Sequence, residues 1–316
     1  MRQIIINSDN ENSRLDKLLM KYLNNASKGF IYKMLRKKNI KLNNKRAEGN
    51  ELLKNGDVIT LYLSDETLDT LMSERDIRKT QIKIQVVYED DNIILCNKPV
   101  GVLSQGDGSR AENINDAILG YLYEKGEYDA SAQSTFKPGL SNRLDRNTGG
   151  IVAMGKTLSA TTALNEAFKN KGVEKLYITV VKGVVKHSGS VCGWYYRGKD
   201  NRSVFYKNRV ENASYIETYY RPLAVKNGYT LLEVKLGSGK THQIRVSMEF
   251  IQFPLVGDIK YSGSHNNPFG LKHQFLYAYK LGFCNNKGVL EYLNGKCFEI
   301  EYDNTMKRIT DYFKDE

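Results

Sequence analysis

Cysteine and histidine are scarce in this chain of 316 residues, and their spacing argues against a structural zinc site. The four cysteines are widely scattered, no two of them form a C-x-x-C pair, and only four histidines accompany them. Structural zinc sites are built from closely spaced Cys and His ligands, so we expect no metal. Reduced thiols of the cytosolic kind are the simplest interpretation of Cys96, Cys192, Cys284 and Cys297.

Long apolar runs are also missing. The N-terminus lacks the apolar core of a signal peptide, and no apolar run approaches the roughly twenty residues that span a membrane. We therefore expect a cytoplasmic protein with no membrane partner.

Acidic residues are outnumbered, with 36 Asp and Glu against 47 Lys and Arg, which gives a formal net charge of +11. Such an excess favours a polyanionic partner, because neutralising phosphates releases counterions. The imbalance is steepest between Lys17 and Arg46, where ten of thirty residues are basic and none is acidic. A solvated helix face normally mixes both signs, so we favour RNA contact over a merely solvated surface. The candidate RNA-binding residues here are Lys28, Lys33, Arg36, Lys37, Lys38 and Lys41.

Changes in pattern divide the chain into a small N-terminal domain, residues 1–63, a polar linker, residues 64–81, and a larger domain, residues 82–316. No internal repeat or low-complexity tract is present. The larger domain has many strand-like runs and few helical ones, which is typical of an α+β domain built on a mixed, largely antiparallel β-sheet. The small domain mixes helices and strands as well.

In the N-terminal domain, apolar residues at helical spacing predict a helix that Ser13 caps and a second helix over Lys28–Lys38. A strand at Ile40–Leu42, a turn at Asn43-Asn44 and a strand at Val58–Leu63 follow.

The larger domain is predicted to hold helices at Asn113–Tyr123 and Leu158–Phe168. Its predicted strands are Ile82–Val87, Asn92–Cys96, Val152–Met154, Leu176–Val181, Thr230–Leu236, Gln243–Val246 and Gln274–Phe283.

A first candidate site is the loop N-R-L-D-R-N-T-G-G, residues 142–150. Its glycines allow a ligand to approach the backbone closely. Arg143 and Arg146 can bind phosphate and, by their charge, keep Asp145 ionised. The alternative is an Arg–Asp ion pair that staples a surface loop. A core strand follows the loop at once, and sites are often built where a loop meets such a strand.

A second candidate is Tyr177, in the run E-K-L-Y-I-T-V-V-K-G. On a strand, Lys175, Tyr177, Thr179 and Val181 share one face. A tyrosine at the rim of a cleft can stack on a base and use its hydroxyl as a weak acid or base. The alternative is a half-buried core residue, since the chain has 21 tyrosines.

A third candidate is the segment G-K-T-H-Q-I-R-V, residues 239–246, with F-P-L-V-G-D after it. A nucleotide-binding P-loop needs a further glycine and a following helix, so a nucleoside triphosphatase is rejected. His242 is a general base or, with Gln243, a structural support of the loop. If Arg245 points inward from a strand, it can form a buried ion pair with Asp145.

Together the motifs R-L-D-x-x-T-x-G, K-x-Y-x-x-x-V-x-G and T-H-Q-I-R-V…P-L-V-G-D resemble, in order, those of RluA-type pseudouridine synthases. N-K-P-x-G at residues 97–101 resembles the start of their catalytic domain, and the resemblance extends over residues 82–283 or so. The N-terminal order of elements, beginning with R-L-D-K-L-L, resembles the alpha-L RNA-binding motif, the fold of ribosomal protein S-four.

The resemblance implies that Asp145 is the catalytic aspartate, that Tyr177 stacks on the target base and that Arg245 pairs with the aspartate. It implies that Arg143 fills the gap left by a flipped base. Thr148, His242 and Gln243 are then supports of the site. The chain departs from the family pattern at Asn142, Gly149 and Lys240, which stand in place of histidine, serine and arginine.

The implied reaction isomerises uridine to pseudouridine, which needs no redox or group-carrying cofactor because no atom is gained or lost overall. RNA is the expected partner, with large-subunit ribosomal RNA favoured over transfer RNA, and a monomer is expected. Two alternatives stay open: a non-catalytic RNA-binding or ribosome-assembly protein on the same scaffold, and a nucleosidase or DNA-base glycosylase. The modified uridine, the number of sites served and the choice between nucleophilic and glycal chemistry are not determined by the sequence.

Overall fold

The computed structural model describes residues 1–6, 10–72, 77–128, 136–198, 202–263 and 267–314. The chain forms two compact units. The first comprises Met1–Gln81, Asn115–Gly139 and Gly155–Thr162, and the second Ile82–Ile114, Leu140–Met154 and Ala163–Glu316. None of the helices in the described ranges is long and apolar enough to cross a membrane.

In the first unit, four described strands pair antiparallel in the order β1-β4-β2-β3 beside three helices. The strands and helices are β1 (Arg2–Ile5), α1 (Leu15–Tyr22), α2 (Lys28–Arg36), β2 (Ile40–Leu42), β3 (Lys45–Arg46), β4 (Val58–Leu61) and α3 (Asp65–Leu71). Helix α4 (Ile114–Glu124) falls almost entirely in this unit. The turn between β2 and β3 has positive φ at Asn43 and Asn44, which confirms the turn predicted there.

Two details of this unit differ from the prediction. Ser13 does not cap α1. Arg14, in extended conformation and bridged to Leu52, takes the N-cap position, and its side chain makes no capping hydrogen bond to the helix. The predicted linker contains α3, which Ser64 caps by accepting from the Thr67 amide and which buries Leu68 in the core of the unit. Packing of Leu68 in this core stabilises a helix in a segment whose polar composition had predicted a linker.

Helix α2 separates apolar from basic side chains. Ile31, Met34 and Leu35 are buried, and the Ser27 side chain caps the helix by accepting from the Phe30 amide at 3.1 Å. Five of the six candidate RNA-binding residues of this region are exposed and the sixth, Lys41, is half-buried. Among the described residues, none of the six forms an ion pair with a carboxylate, so their charge is available to an anion. Their contact with RNA stays a prediction.

The second unit is built on a sheet of ten described strands, in the order β10-β9-β11-β12-β8-β13-β7-β6-β5, with β14 paired to β13. β13 and β7 run parallel, and the strand pairs β5–β6, β8–β12, β8–β13, β9–β10, β9–β11, β11–β12 and β13–β14 are antiparallel. This confirms the mixed, largely antiparallel sheet of an α+β fold. The strands are β5 (Gln85–Glu89), β6 (Ile93–Lys98), β7 (Gly149–Gly155), β8 (Val173–Lys182), β9 (Gly189–Arg197), β10 (Ser203–Tyr206), β11 (Ser214–Lys226), β12 (Tyr229–Leu236), β13 (Leu276–Phe283) and β14 (Cys297–Glu299).

Helices cover part of this sheet. They are α5 (Leu158–Lys169), whose first turn falls in the first unit, α6 (Gln243–Phe250), α7 (Ile259–Ser262), α8 (Asn304–Tyr312) and a 3-10 helix at Gly288–Leu293. All seven residues of β7 are buried, and Ile151 and Ala153 join Ile178, Val180 and Leu281 in the main core.

The strand predicted over residues 243–246 is wrong, because these residues begin helix α6. Residues 243 to 248 are all buried, and a helix buried all round shows no polar face from which helical spacing could be recognised. The short polar–apolar alternation of Q-I-R-V therefore imitated a strand.

Gly150 marks the closest approach of two strands. It has φ of +119°, and a Cβ on it would lie 2.2 Å from the Ala278 carbonyl oxygen of β13. We expect Gly150→Ala to lower stability by more than about 2 kcal/mol, since both the backbone conformation and the strand pairing would be strained. Thermal melting followed by circular dichroism measures this.

The matched control is Gly120→Ala in α4, where a Cβ meets nothing within 4 Å. It should leave stability unchanged or raise it by up to about 1 kcal/mol. Equal melting temperatures for the two variants would contradict the close approach at Gly150.

Candidate active site

The loop that carries Asp145 is fixed at several points. Ser104 Oγ donates to the Leu144 carbonyl oxygen at 2.7 Å and accepts from the Leu144 amide at 3.0 Å. The Thr148 amide donates to the Asp145 carbonyl oxygen at 3.0 Å, which closes a turn immediately before β7. Asp145 is thus held at the end of a core strand, with its side chain about one-quarter exposed (25%).

Lys98, at the end of β6, supports this loop and was not singled out by the sequence. Its side chain is fully buried, and its Nζ donates to the carbonyl oxygens of Pro99, Val102 and Arg146 at 2.9, 2.7 and 3.1 Å. Burial lowers the pKa of Lys98 to about 7, against the opposing charge of Asp145. The lysine therefore ties three backbone carbonyls together and places positive charge near Asp145.

Arg245 lies on α6 and its principal partner is Asp258, not Asp145 as expected. Arg245 Nε and Nη2 donate to the two Asp258 carboxylate oxygens at 2.6 and 2.8 Å, and Asp258 is 1% exposed. Arg245 Nη1 lies 3.9 Å from Asp145 Oδ2, at the outer limit of an ion pair. Asp258 also caps α7 by accepting from the Lys260 and Tyr261 amides, so one carboxylate fixes both the arginine and a helix start.

His242 and Gln243 lie at the start of α6, the helix that carries Arg245. His242 has φ of +58° and stands at the N-cap of α6, with Nε2 3.7 Å from Asp145 Oδ2 and Nδ1 3.0 Å from the Tyr261 hydroxyl. Burial and the neighbouring Arg245 lower the pKa of His242 to about 4, so the imidazole is neutral at physiological pH. Gln243 accepts from Ser238 Oγ and the Lys240 amide and donates to the Glu217 carbonyl oxygen and Thr218 Oγ1.

The Asp145 carboxyl differs electrostatically from the prediction. Burial raises its pKa above the ordinary value, and the charges of Arg245, Lys98 and Lys260 oppose that rise. Two parts of the expectation were therefore wrong: the pKa is not lowered, and the main positive charges near the carboxyl come from outside its own loop. Arg143 and Arg146 are exposed, and Arg146 Nε donates to the Gly101 carbonyl oxygen at 3.0 Å.

Tyr177 lies on β8, 8% exposed, and lines a small cavity of about 50 Å³ together with Asp145, Thr148 and His242. Burial, and then the charge of Asp145, raises the pKa of the Tyr177 phenol, so the hydroxyl stays protonated. Thr148 Oγ1 is buried with no hydrogen-bond partner among the described residues.

Asp145 and Tyr177 also line a larger cleft of about 870 Å³, which we call the main cleft. Its walls are residues 103–107, residues 140–146, the end of α5 and the Gly239–Thr241 turn. Six basic side chains contribute to it: Arg143, Arg146, Lys169, Lys175, Arg197 and Lys240. Asp145 also lines a third cavity, of about 350 Å³, together with Arg245 and Lys260.

Two of the departures from the family pattern, Asn142 and Gly149, have local explanations. Asn142 Nδ2 donates to the Ile151 carbonyl oxygen at 3.1 Å, and its Oδ1 accepts from the Ala153 amide at 2.8 Å, so the side chain is bonded to the β7 backbone. At Gly149, a Cβ would lie 2.7 Å from the ring of Tyr277. Tyr277 therefore fills the space that a serine side chain would need.

The structure thus brings Asp145, Tyr177, Arg245, His242 and Thr148 around one centre, with Gln243 and Arg143 beside it. Within the described ranges, no group of three or more His, Cys, Asp or Glu side chains is placed to hold a metal ion.

Residues 92–250 match the family model for RNA pseudouridylate synthase. The chain belongs to this family. It is 33% identical to ribosomal large subunit pseudouridine synthase C of Rickettsia felis, over 92% of each chain. It is 32% identical to an uncharacterised RNA pseudouridine synthase of Mycoplasma capricolum, over 94% of this chain and 96% of the relative.

Its fold is similar to that of human RNA pseudouridylate synthase domain containing 4, with a TM-score of 0.57, 20% identity and coverage of 72% of this chain and 92% of the human one. The resemblance to RluA-type pseudouridine synthases is confirmed, and the protein is an RNA-uridine isomerase. A nucleosidase or a non-catalytic scaffold protein is thereby set aside.

Replacing Arg245 should leave the buried Asp258 carboxylate without its cationic partner, with only the Lys260 and Tyr261 amides bonded to it. We expect Arg245→Ala to cost about 3–5 kcal/mol of stability, because a bare buried carboxylate remains. Adding Asp258→Ala removes that charge, so the double variant should be little less stable than Arg245→Ala alone, although it also loses the α7 cap. Urea unfolding of the unchanged protein, the two single variants and the double variant measures the coupling.

The pair between the exposed Arg221 and the half-buried Glu233, with a comparable 2.7 Å contact, is the control. Arg221→Ala should cost less than about 1 kcal/mol. A cost for Arg245→Ala no larger than that for Arg221→Ala would show that the Arg245–Asp258 pair does not stabilise the site.

Proposed function

We propose that this protein isomerises uridines in structured RNA of the large ribosomal subunit, and that Asp145 is its catalytic carboxylate. The observation that carries the proposal is the placement of Asp145 and Tyr177 on one cleft with six basic side chains. The relative from Rickettsia felis, named as a large-subunit enzyme, supports ribosomal over transfer RNA.

The target uridine has to leave the RNA stack, because an enzyme that acts on a base cannot reach its target atom inside a duplex. Extrusion costs a few kcal/mol and is cheapest in single-stranded or bulged RNA. The basic side chains of the cleft bind the phosphates, and Arg143 fills the gap left in the stack. The six basic residues of α2 and its surroundings add sequence-independent affinity for the backbone.

The reaction breaks the N1–C1′ bond, rotates the uracil and joins C5 to C1′. C5 loses its proton and N1 gains one, so substrate and product have the same formula and no cofactor is consumed. Asp145 can stabilise an oxocarbenium-like C1′, bond to it, or take the 2′-proton in a glycal route. Glycosidases use carboxylates around an anomeric carbon in the same way, but they add an acid for the leaving oxygen. A uracil anion leaves without one.

Tyr177 acts through its ring. Since burial raises the pKa of the phenol, the hydroxyl is a poor base, and the aromatic face is left to stack on the uracil. Arg245 acts on Asp145 by charge across 3.9 Å while it stays bonded to Asp258, so it is a positioning residue.

Asp145→Asn should lower pseudouridine formation by at least about a thousandfold, because an amide can neither carry the charge nor bond to C1′. RNA affinity should change little. The loss is measured with a transcript of large-subunit ribosomal RNA whose uridines carry tritium at C5. Pseudouridine formation releases that tritium and leaves the mass of the unlabelled RNA unchanged.

Asp311→Asn in α8, an exposed carboxylate paired with Lys314, is the matched control and should keep full activity. Substantial turnover by Asp145→Asn would refute its role. Release of free uracil in place of a mass-neutral isomer would contradict the isomerase reaction itself.

The acid limb of the pH profile should report Asp145, which has to be ionised to act. Activity is lost as the pH falls through its pKa, which burial raises. Lys260 lowers the pKa of Asp145 and of His242, so Lys260→Met should move the acid limb of kcat/KM to higher pH.

Lys307→Met, an exposed lysine of α8, removes the same charge away from the cleft and should leave the profile in place. A limb unmoved by Lys260→Met would contradict the assignment of Asp145 as the group that titrates. Circular dichroism at each pH confirms that the variants stay folded.

A further inference from the structure

A cavity of about 480 Å³ adjoins the main cleft and shares Lys175 and Leu236 with it. It lies between the start of β8 and the end of β12, and Lys171, Tyr219 and Lys235 contribute to its walls. Its volume is within the range of about 300–1,000 Å³ that is typical of ligand pockets. Neither the reacting base nor the catalytic carboxylate requires this space.

Lys175 stands between the two cavities. It lies two residues before Tyr177 on β8, on the same face of the strand, or about 7 Å along it. Its Nζ is 3.9 Å from the position that a Cβ on Gly239 would take. The lysine therefore points to the turn that forms one wall of the main cleft.

Within the described part of the chain, Lys175 forms no hydrogen bond or ion pair. The two glutamates in its surroundings are already paired, Glu174 with Lys235 and Glu217 with Lys171 at 2.9 Å. Lys175 is half-buried, and burial together with the positive charge of Lys171 lowers its pKa. A partly desolvated ammonium without a counter-ion is costly, and a bound anion would relieve that cost.

Tyr219 supplies an aromatic surface in the same cavity. It lies on β11 directly opposite Lys235 of β12, and its side chain is 40% exposed. Its hydroxyl donates to Glu217 Oε1 at 3.1 Å, which limits the rotation of the ring. An exposed ring held in one orientation can stack on a nucleobase of any identity.

We propose that this cavity binds the nucleotide adjacent to the target uridine, with Lys175 on the phosphate that joins the two and Tyr219 against the neighbouring base. The assignment rests on the proposed function. It adds a second recognition point beside the catalytic one, which holds the strand on one side of the extruded uridine. Because stacking and phosphate contact carry little sequence information, the subsite fixes register and not sequence.

The test measures binding and turnover separately. Affinity for a fluorescein-labelled single-stranded uridine oligonucleotide is followed by anisotropy over a range of salt concentrations. Lys175→Met should weaken binding about tenfold, as expected for a hydrogen bond to a charged group, and reduce the salt slope by about 0.7, as expected for one lost phosphate contact. Lys175→Arg keeps the charge and should keep the slope.

Tyr219→Leu should weaken binding about fivefold or more with an unchanged salt slope, because it removes stacking and no charge. Lys307→Met, outside the cavities, is the charge-matched control. If Lys175→Met matches Lys307→Met in affinity and slope, or if Tyr219→Leu binds like the unchanged protein, the subsite is refuted. Melting temperatures identify any variant that fails to fold, and Lys175→Gln is a second uncharged variant for which the same loss is expected.

Turnover of the large-subunit transcript is measured in parallel, and Lys175→Met should raise KM more than it lowers kcat. An unchanged protein that binds the oligonucleotide but forms no pseudouridine would contradict the proposed function and leave the subsite standing. A normal KM in Lys175→Met, with turnover intact, would contradict the subsite alone.

Discussion

The site depends on how one guanidinium is divided between two carboxylates. Arg245 gives its bidentate hydrogen bonds to Asp258, which is fully enclosed, and only a longer contact of 3.9 Å to Asp145. Asp258 is therefore committed to structure. Asp145 receives positive charge that opposes the rise of its pKa on burial, but the arginine does not hydrogen-bond its oxygens. A carboxylate whose oxygens are not held by bidentate hydrogen bonds can stabilise positive charge that develops on C1′ or bond to that carbon. A carboxylate held by both nitrogens of a guanidinium cannot.

The surrounding residues hold Asp145 in this position. Hydrogen bonds from Ser104 and Lys98 hold the Asp145 loop. The loop leads into β7, and the parallel pairing of β7 with β13 requires glycine at residue 150. Burial that raises the pKa of Asp145 also raises that of Tyr177 and lowers that of His242. The same enclosure thus keeps the Tyr177 phenol protonated and the His242 imidazole neutral beside a carboxyl whose pKa is raised.

Much of the site could be predicted because its residues lie in ordered, spaced motifs. The motifs identified Asp145, Tyr177 and Arg245, and strand patterns located β7 and β8. The partner of Arg245 could not be predicted, since a strand was expected where α6 begins and Asp258 is thirteen residues away. The role of Lys98 depends on three carbonyls, which have no signature in side-chain sequence. The pKa direction of Asp145 depends on burial, which the loop sequence does not show. Ser13 illustrates the same limit, because a bridge from Arg14 to Leu52 decided where α1 starts.

The most direct test of the central claim is a structure of the Asp145→Asn protein bound to its RNA. A single uridine should be extruded into the main cleft, with C1′ against the residue 145 side chain and the uracil against the ring of Tyr177. An RNA with every base stacked, or an extruded nucleotide lodged on the Lys260 side of residue 145 away from Tyr177, would contradict the account.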